Sequence, residues 1–374
     1  MLIALSQILG TTRIAKFVSE IVDIRQYQVS PWDARIPDVP ATEDDIIWKG
    51  AGSLAVADVV MDGAMAPTRK LKPSTFVQTK VPNLKHGLDL DQRDLDLLYR
   101  LTNGGGLAVD AGSLDTKIAG YLAGLIDGVN KRKAILKCAV VSDGFAIDKF
   151  GIKASGVTFG MKSDLKVTLT GGQQYINANL ATMTPVADAL ALIRKAKETY
   201  GITYDRITYA TAVFDVITAS DEFKAKAQIF SGVTFGSGSF PLPVGTAKEL
   251  LQRVLGGGIE IEIDDSTYFV ENEDGTESTA RYVAEADVIF STKAADGNAG
   301  VWDFANCPVT EAIASNLMPG TVIGNSIPAG TRGPVGYVTA ANGNMNPPGV
   351  TLWAVTKGMS RRHHDAVTAK IICK

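Results

Sequence analysis

The chain has 374 residues, 45% of them apolar and 21% charged, values of a globular protein and far from those of a disordered one. A single hydrophobic core stops growing at roughly 250–300 residues, so this length admits two. The formal net charge of −3 excludes a protein whose main work is coating nucleic acid, which needs a marked Lys/Arg excess.

The N-terminus, MLIALSQILGTTRIAKF, has an apolar run without a preceding basic segment or a small-residue cleavage site, and it does not read as a signal peptide. No run approaches the ~18 apolar residues of a membrane span. Within residues 1–45 the stretch SPWDARIPDVP carries Pro31, Pro37 and Pro40, which forbid a regular element. Such a segment cannot build a core of its own and is expected to run extended over another body.

Residues 46–61 (IIWKGAGSLAVADVVM) and 74–83 (STFVQTKVPN) are β-rich, and the polar DGAMAPTRKLKP lies between them. Together they predict a long two-stranded excursion with Trp48 on its first strand and a basic tip at Arg69, Lys70 and Lys72. A lone hairpin is marginal in water, so this one needs a partner surface, and that surface can lie on another copy.

After TNGGG comes the longest helical pattern. Ala111, Leu114, Ile118, Leu122, Leu125, Val129, Leu136 and Val140 recur at helical spacing and predict a rod over about residues 110–141, with Ser113 as its N-cap. Gly120, Gly124 and Gly128 share one face and permit close approach of a neighbouring backbone. Residues 156–171 are strand-rich.

From about residue 181 helix and strand alternate. Thr184-Pro185 opens a helix that Gly201 ends, RITY (206–209) is a strand, and a helical region over 212–227 is broken near Ser220. TAKELLQRVLGGG is a third helix, capped by Thr246 and stopped by Gly256. IEIEI (259–263) alternates strictly, with Glu260 and Glu262 on the wet side. A Gly/Pro/Asn-rich loop over 320–348 leads to a final pair of strands, TLWAVTK and DAVTAKII, around SRRHH.

The densest acidic cluster is Glu271, Glu273, Asp274 and Glu277 in YFVENEDGTESTARYV. Asp274-Gly275 between two β-like runs is a hairpin signal. With Gly275 sixth in a calcium loop, Val270 would be first and Arg281 last, and neither is a ligand. A solvated tip also does not shift carboxylate pKa values as catalysis requires. The cluster reads as a turn.

GAGSLA (50–55) matches a dinucleotide fingerprint on paper, but a strand-like AVADVVM follows and position 70 is lysine where an acid is needed. Cys138, Cys307 and Cys373 are odd in number and widely spaced, which points to reduced thiols of a cytoplasmic protein rather than disulfides or a zinc knuckle. His363 and His364 point to opposite faces of a strand and cannot chelate one metal. With Arg361 and Arg362 they are expected on a solvated or subunit-facing turn, and His86 is isolated. The reading is therefore of a protein with no catalytic, cofactor or metal residues: not an enzyme.

The order of parts resembles the major capsid proteins of tailed bacteriophages, which share the Hong Kong-type (Johnson) capsid fold, an α+β architecture. Three blocks are similar to the lambda-type capsid protein E family: ARIPDVPATEDDIIW (34–48), RITYATAVFDVITASDEFKAKA (206–227) and GGGIEIEIDDSTYFVENEDGTESTARYVAEADVIFST (256–292). The closing TLWAVTKGMSRRHHDAVTAKII (351–372) is similar to the last strands of the wider fold.

The resemblance implies an N-arm (1–45), an E-loop (46–88), a peripheral P-domain with a spine helix (89–175), an axial A-domain (176–345) and closing P-domain strands (346–374). It implies hexamers and pentamers that close into an icosahedral head around packaged dsDNA, which is held without sequence-specific binding. Portal, scaffold and decoration proteins are the implied partners, no membrane or cofactor is involved, and the virion capsid is assembled in the host cytoplasm. Trp48, Arg69, Lys70 and Lys72 are then candidate subunit contacts. The alternatives are an encapsulin-like compartment, a metal- or dinucleotide-dependent enzyme, and another virion part such as a tail tube or decoration protein.

Overall fold

Among the described residues two large hydrophobic cores stand out, each built on a five-stranded sheet, with a third small cluster of Val309, Tyr337 and Val355. The computed structural model describes residues 31–41, 45–49, 76–90, 111–149, 152–232, 243–271, 276–310, 330–340 and 350–374.

The hub of the first sheet is β15 (Val350–Arg362). Its first half is flanked by β4 (Asn83–Leu90) and β14 (Val335–Ala340), both antiparallel, and its second half pairs with β13 (Trp302–Cys307). The edge strand β1 (Asp38–Pro40) adds in parallel to β13. Helix α2 (Ala111–Ser142) lies across β15 and β4, burying Leu122, Leu125, Ile126, Val129, Leu136 and Val140. Its extent matches the periodicity, but it begins at Ala111, so Ser113 lies inside the first turn rather than at the cap.

The glycine face works differently from expectation. Among the described residues nothing lies within 4 Å of where a Cβ would sit on Gly120 or Gly124. Only Gly128 is closely approached, by the ring of His86 rather than by backbone.

The second sheet runs β7 (Lys166–Thr168), β16 (Thr368–Ile372), β12 (Asp287–Ser291), β8 (Arg206–Tyr209), β9 (Glu260–Ile263). Pairs β7–β16 and β8–β9 are parallel, and β12 is antiparallel to both its neighbours. Helices α3 (Pro185–Tyr200), α4 (Thr211–Ala219), α5 (Asp221–Ser231) and α6 (Val244–Val254) contribute their apolar stripes to its core.

The helix ends show which local signals hold. Gly201 and Gly232 take left-handed φ of 69° and 66° and end α3 and α5, where glycine avoids the Cβ clash. Ser220 breaks the helical region as expected, and its hydroxyl accepts from Phe223 N to start α5. Thr184 sits at the N-cap of α3 without capping through its side chain. The Glu222 carboxylate, from the start of α5, takes the free amides of Val186 and Ala187 at 2.9 and 3.1 Å. Helix α6 starts at Val244 after Pro243, ahead of the expected cap Thr246.

Two expectations are overturned. The final strands do not pair with each other: β15 joins the first sheet and β16 the second, so the chain crosses between cores at residues 363–367. The proline segment is not irregular either. Pro31 occupies the first position of a single helical turn, α1 (Pro31–Arg35), where its missing N–H costs nothing. Pro40 ends an edge strand, where an absent donor is tolerated.

Over residues 31–41 this segment lies on its own chain. Trp32 is fully buried in the first core, edge-on to Trp302 at 6.1 Å between centroids. The reason is that a large aromatic flanked by prolines loses little entropy on docking and removes much apolar surface from water.

Candidate functional site

Of the four candidate contact residues, Trp48 lies in β2 (Asp45–Lys49), opposite Val77 of β3 (Phe76–Lys80). These two strands are antiparallel, as a two-stranded excursion requires at its base. Arg69, Lys70 and Lys72, and the GAGSLA stretch, lie outside the described residues.

The acidic cluster is carried on a hairpin. β10 (Thr267–Glu271) pairs antiparallel with β11 (Glu277–Arg281), with Glu271 directly opposite Glu277. The connection spans residues 272–276, and Asp274-Gly275 within it lies outside the described residues. Tyr268 packs on Tyr282 at 4.8 Å between ring centroids, which seats one face of the hairpin on the first core. On the other face Phe269 is 68% exposed.

The SRRHH stretch is not a solvated turn. Arg361 and Arg362 end β15, and Arg362 is fully buried at the joint between the cores. Its Nη2 donates to Val140 O and, at 2.7 Å, to Thr368 Oγ1. Burial pulls its pKa down to about 10. Lys370 donates to Ser142 O at 2.8 Å and to Asp287 at 3.2 Å. Two cations from the chain end thus meet the terminal carbonyls of α2, where the helix dipole is negative.

Beside them, the buried Asp303 takes a forked contact from Arg361 at 2.6 and 2.5 Å and lies 3.0 Å from His363 Nε2. Burial opposes its charge, but the hydrogen bonds from His363 and Arg361 outweigh burial and hold the carboxyl below its ordinary value. Strand alternation beyond Gly358 and Ser360 was the signal that could have placed Arg362 inward.

A second ionic group ties down the proline segment. Arg35 forks onto Glu262 at 2.9 and 2.6 Å, and Glu262 also accepts from Thr208. Arg206 forks onto Asp296 at 3.0 and 2.6 Å, and Arg35 reaches the same carboxylate at 3.7 Å. Glu262, expected on a wet face, is therefore a tether between residue 35 and the edge of the second sheet. On the other side Lys137 of α2 meets Asp33 and Asp38 at 3.0 and 3.1 Å. Sequence alone pointed to none of these partners.

As chemistry these groups hold parts together. Each carboxylate is matched by a guanidinium or ammonium, and among the described residues no three His, Cys, Asp or Glu side chains are grouped to hold a metal. Cys138, Cys307 and Cys373 are buried and form no disulfide, and burial pushes the Cys373 thiol up, away from the reactive thiolate. Among the described residues the exposed large apolar side chains are Ile229, Phe230, Val244 and Phe269.

No family model matches the chain, and no curated protein does. Solved structures do match. A prophage protein of E. coli CFT073, assigned as a capsid protein, superposes with a TM-score of 0.52 at 12% identity, over 96% of this chain and 98% of that one. A phage-related protein of Bordetella bronchiseptica RB50 gives 0.45 at 10% identity, over 94% and 95%. The capsid of Myoviridae phage XM1 gives 0.44 at 8%, over 93% and 96%. The α+β Hong Kong-type capsid fold expected from the sequence is the fold of this chain.

Proposed function

We propose that this chain is the major capsid protein of a tailed bacteriophage, assembling as hexamers and pentamers into an icosahedral head around packaged dsDNA. One observation carries the reading: the fold matches that of the E. coli CFT073 prophage protein over 96% of this chain and 98% of that one. The match is of fold, and the function is inferred from it together with the chain's own features.

Those features agree. Hydrogen bonds from Arg362 and Lys370 join the two cores, while β2–β3 and β10–β11 are two-stranded and belong to neither five-stranded sheet. Such ribbons gain stability by lying on neighbours. Weak contacts let misplaced copies leave, and many of them together make a closed shell durable. Slight acidity suits a wall that must let a genome enter and leave.

In this reading residues 1–45 are the N-arm, 46–88 the E-loop, 89–175 and 346–374 the P-domain, and 176–345 the A-domain. The role is structural rather than enzymatic. Portal, scaffold and decoration proteins are its partners, and assembly takes place in the host cytoplasm. The narrower lambda-type kinship rests on the three sequence blocks alone.

Negative-stain microscopy of the expressed chain tests this. Uniform hollow particles tens of nanometres across are expected, and a compact monomer under all conditions would overturn it. Particles that enclose a cargo enzyme instead of DNA would favour an encapsulin-like compartment.

A further inference from the structure

Charge at the joint between the two cores is not balanced among the described residues. Lys162 meets Asp365 at 2.7 Å, Lys370 meets Asp287 at 3.2 Å and Lys166 meets Asp143 at 3.7 Å. Arg362 is the fourth cation, and the carboxylate it approaches is that same Asp143, at 3.9 Å. The Asp143 oxygen it faces already accepts from Phe159 N and Met161 N at 3.1 and 2.9 Å. Arg361, on the opposite face of β15, is matched by Asp303. The carbonyl end of α2 adds about half a negative charge, shared between Arg362 and Lys370. Lys162 and Lys166 keep contact with solvent, whereas Arg362 is fully buried, where an uncompensated charge is costly.

The surroundings of Arg362 offer donors with nothing to donate to. Trp302 of β13 stands opposite Arg362 and Phe304 opposite Ser360, and all four share the face turned to α2. Among the described residues Arg362 Nε and Nη1, Trp302 Nε1 and Ser360 Oγ are buried without a hydrogen-bond partner. The Phe304 ring does not close over Ser360 but lies over Gly358, where a Cβ would run into it. Three of the four atoms are nitrogens that only donate, and the hydroxyl can donate as well. A water must donate as well as accept, and this set gives it a single acceptor. An anion only accepts.

We propose that the joint holds one small monovalent anion, of the halide class, bound by Arg362 Nε and Nη1, Trp302 Nε1 and Ser360 Oγ. It supplies the missing negative charge. Through Arg362, which also donates to Val140 O and Thr368 Oγ1, it ties β13 and β15 to the end of α2 and to β16 of the second core. A dianion would overshoot the charge. Burial of Arg362, Trp302 and Ser360, each 1% exposed or less, leaves no solvated side for a large oxyanion.

Urea unfolding of the full, unassembled chain at fixed pH and ionic strength, with chloride exchanged for gluconate, tests this. An anion that binds only the folded chain lowers the unfolding constant by one plus the ratio of its concentration to Kd. Above Kd, each tenfold rise in chloride is therefore expected to lower that constant about tenfold, and bromide to act likewise. Arg362→Met removes the excess cation and is expected to respond to neither halide. Ser360→Ala keeps the cation, removes one donor and is expected to need several-fold more chloride for the same gain. In crystals grown with bromide, an anomalous peak is expected within hydrogen-bond distance of Arg362.

A parent equally stable in chloride and gluconate overturns the site, and so does a chloride response that survives in Arg362→Met. If Arg362→Met does not fold, Ser360→Ala decides, since a chloride response identical to the parent's places the anion elsewhere. Ordered water at Arg362 without a halide signal would make the four atoms a hydration site and also overturn it. None of these outcomes touches the shell reading, because each is measured before assembly.

Discussion

Arg362 allows volume and charge to be separated at the joint between the two cores. Among the described residues only Nη2 of its three guanidinium nitrogens donates, to Val140 O and Thr368 Oγ1 with Val141 O at 3.5 Å, while Nε and Nη1 find no hydrogen-bond partner there and Asp143 stands off at 3.9 Å. Two charge-assisted bonds at about 1.5–3 kcal/mol each are set against a desolvation penalty of several kcal/mol for a fully buried cation. The two nearly cancel, so the charge itself contributes little net stability. The volume does not cancel: truncating a buried side chain of this size costs about 3–5 kcal/mol.

Arg362→Ala should therefore lose about 3–5 kcal/mol, and Arg362→Met, which keeps the length and drops the charge, less than about 2 kcal/mol. Urea unfolding of the unassembled chain, followed by tryptophan fluorescence, measures both, since Trp32 and Trp302 report on the first core. If Met proves as damaging as Ala, the cationic cap on the α2 carbonyls is worth far more than this accounting allows. If Ala is silent, the side chain is not buried in solution.

Three further outcomes are expected. Arg35→Glu should free residues 31–41 from the second sheet at a cost of about 2–4 kcal/mol, read as faster hydrogen exchange there, and Glu262→Arg on the same chain should recover part of it. Gly358→Ala should destabilise by about 1–3 kcal/mol or more, because its Cβ would enter the Phe304 ring and lie 2.8 Å from Ala305 O. Gly124→Ala, with nothing within 4 Å among the described residues, should instead stabilise the unassembled chain by about 0.5–1 kcal/mol through helix propensity; thermal melts decide both. Asp303 has a folded pKa below its unfolded value, so its stabilisation is complete above about pH 5 and is lost as pH falls through the depressed folded pKa. Asp303→Asn should be less stable than the parent at pH 7, and the gap in melting temperature should close towards pH 3.

Much of the fold was legible because it is written at short range. The apolar spacing from Ala111 to Val140 gave α2 to within about a residue, since a long helix needs only its own period and one sheet to lie on. Ser220, Gly201 and Gly256 marked breaks and ends through their own backbone chemistry. The acidic cluster could be recognised as a hairpin because two β-like runs flanked it. Thr184 and Thr246 failed as caps for a reason propensity does not contain. At α3 a carboxylate from the start of another helix already held the free amides, and at α6 the cap is Pro243, three residues before Thr246.

What the sequence by itself determined, then, is the set of elements, their order and the resemblance of that order to a capsid fold. The tertiary structure alone decided which surfaces they share. SRRHH carries the composition of a solvated turn, yet Arg362 is buried because the carbonyl end of α2, more than 200 residues earlier, lies where it can cap them. SPWDARIPDVP resembles a loose arm, yet Trp32 and Arg35 find Trp302 and Glu262 on the same body. Periodicity and capping act over a few residues, whereas burial and ion pairing are settled between residues that meet only once the chain has folded.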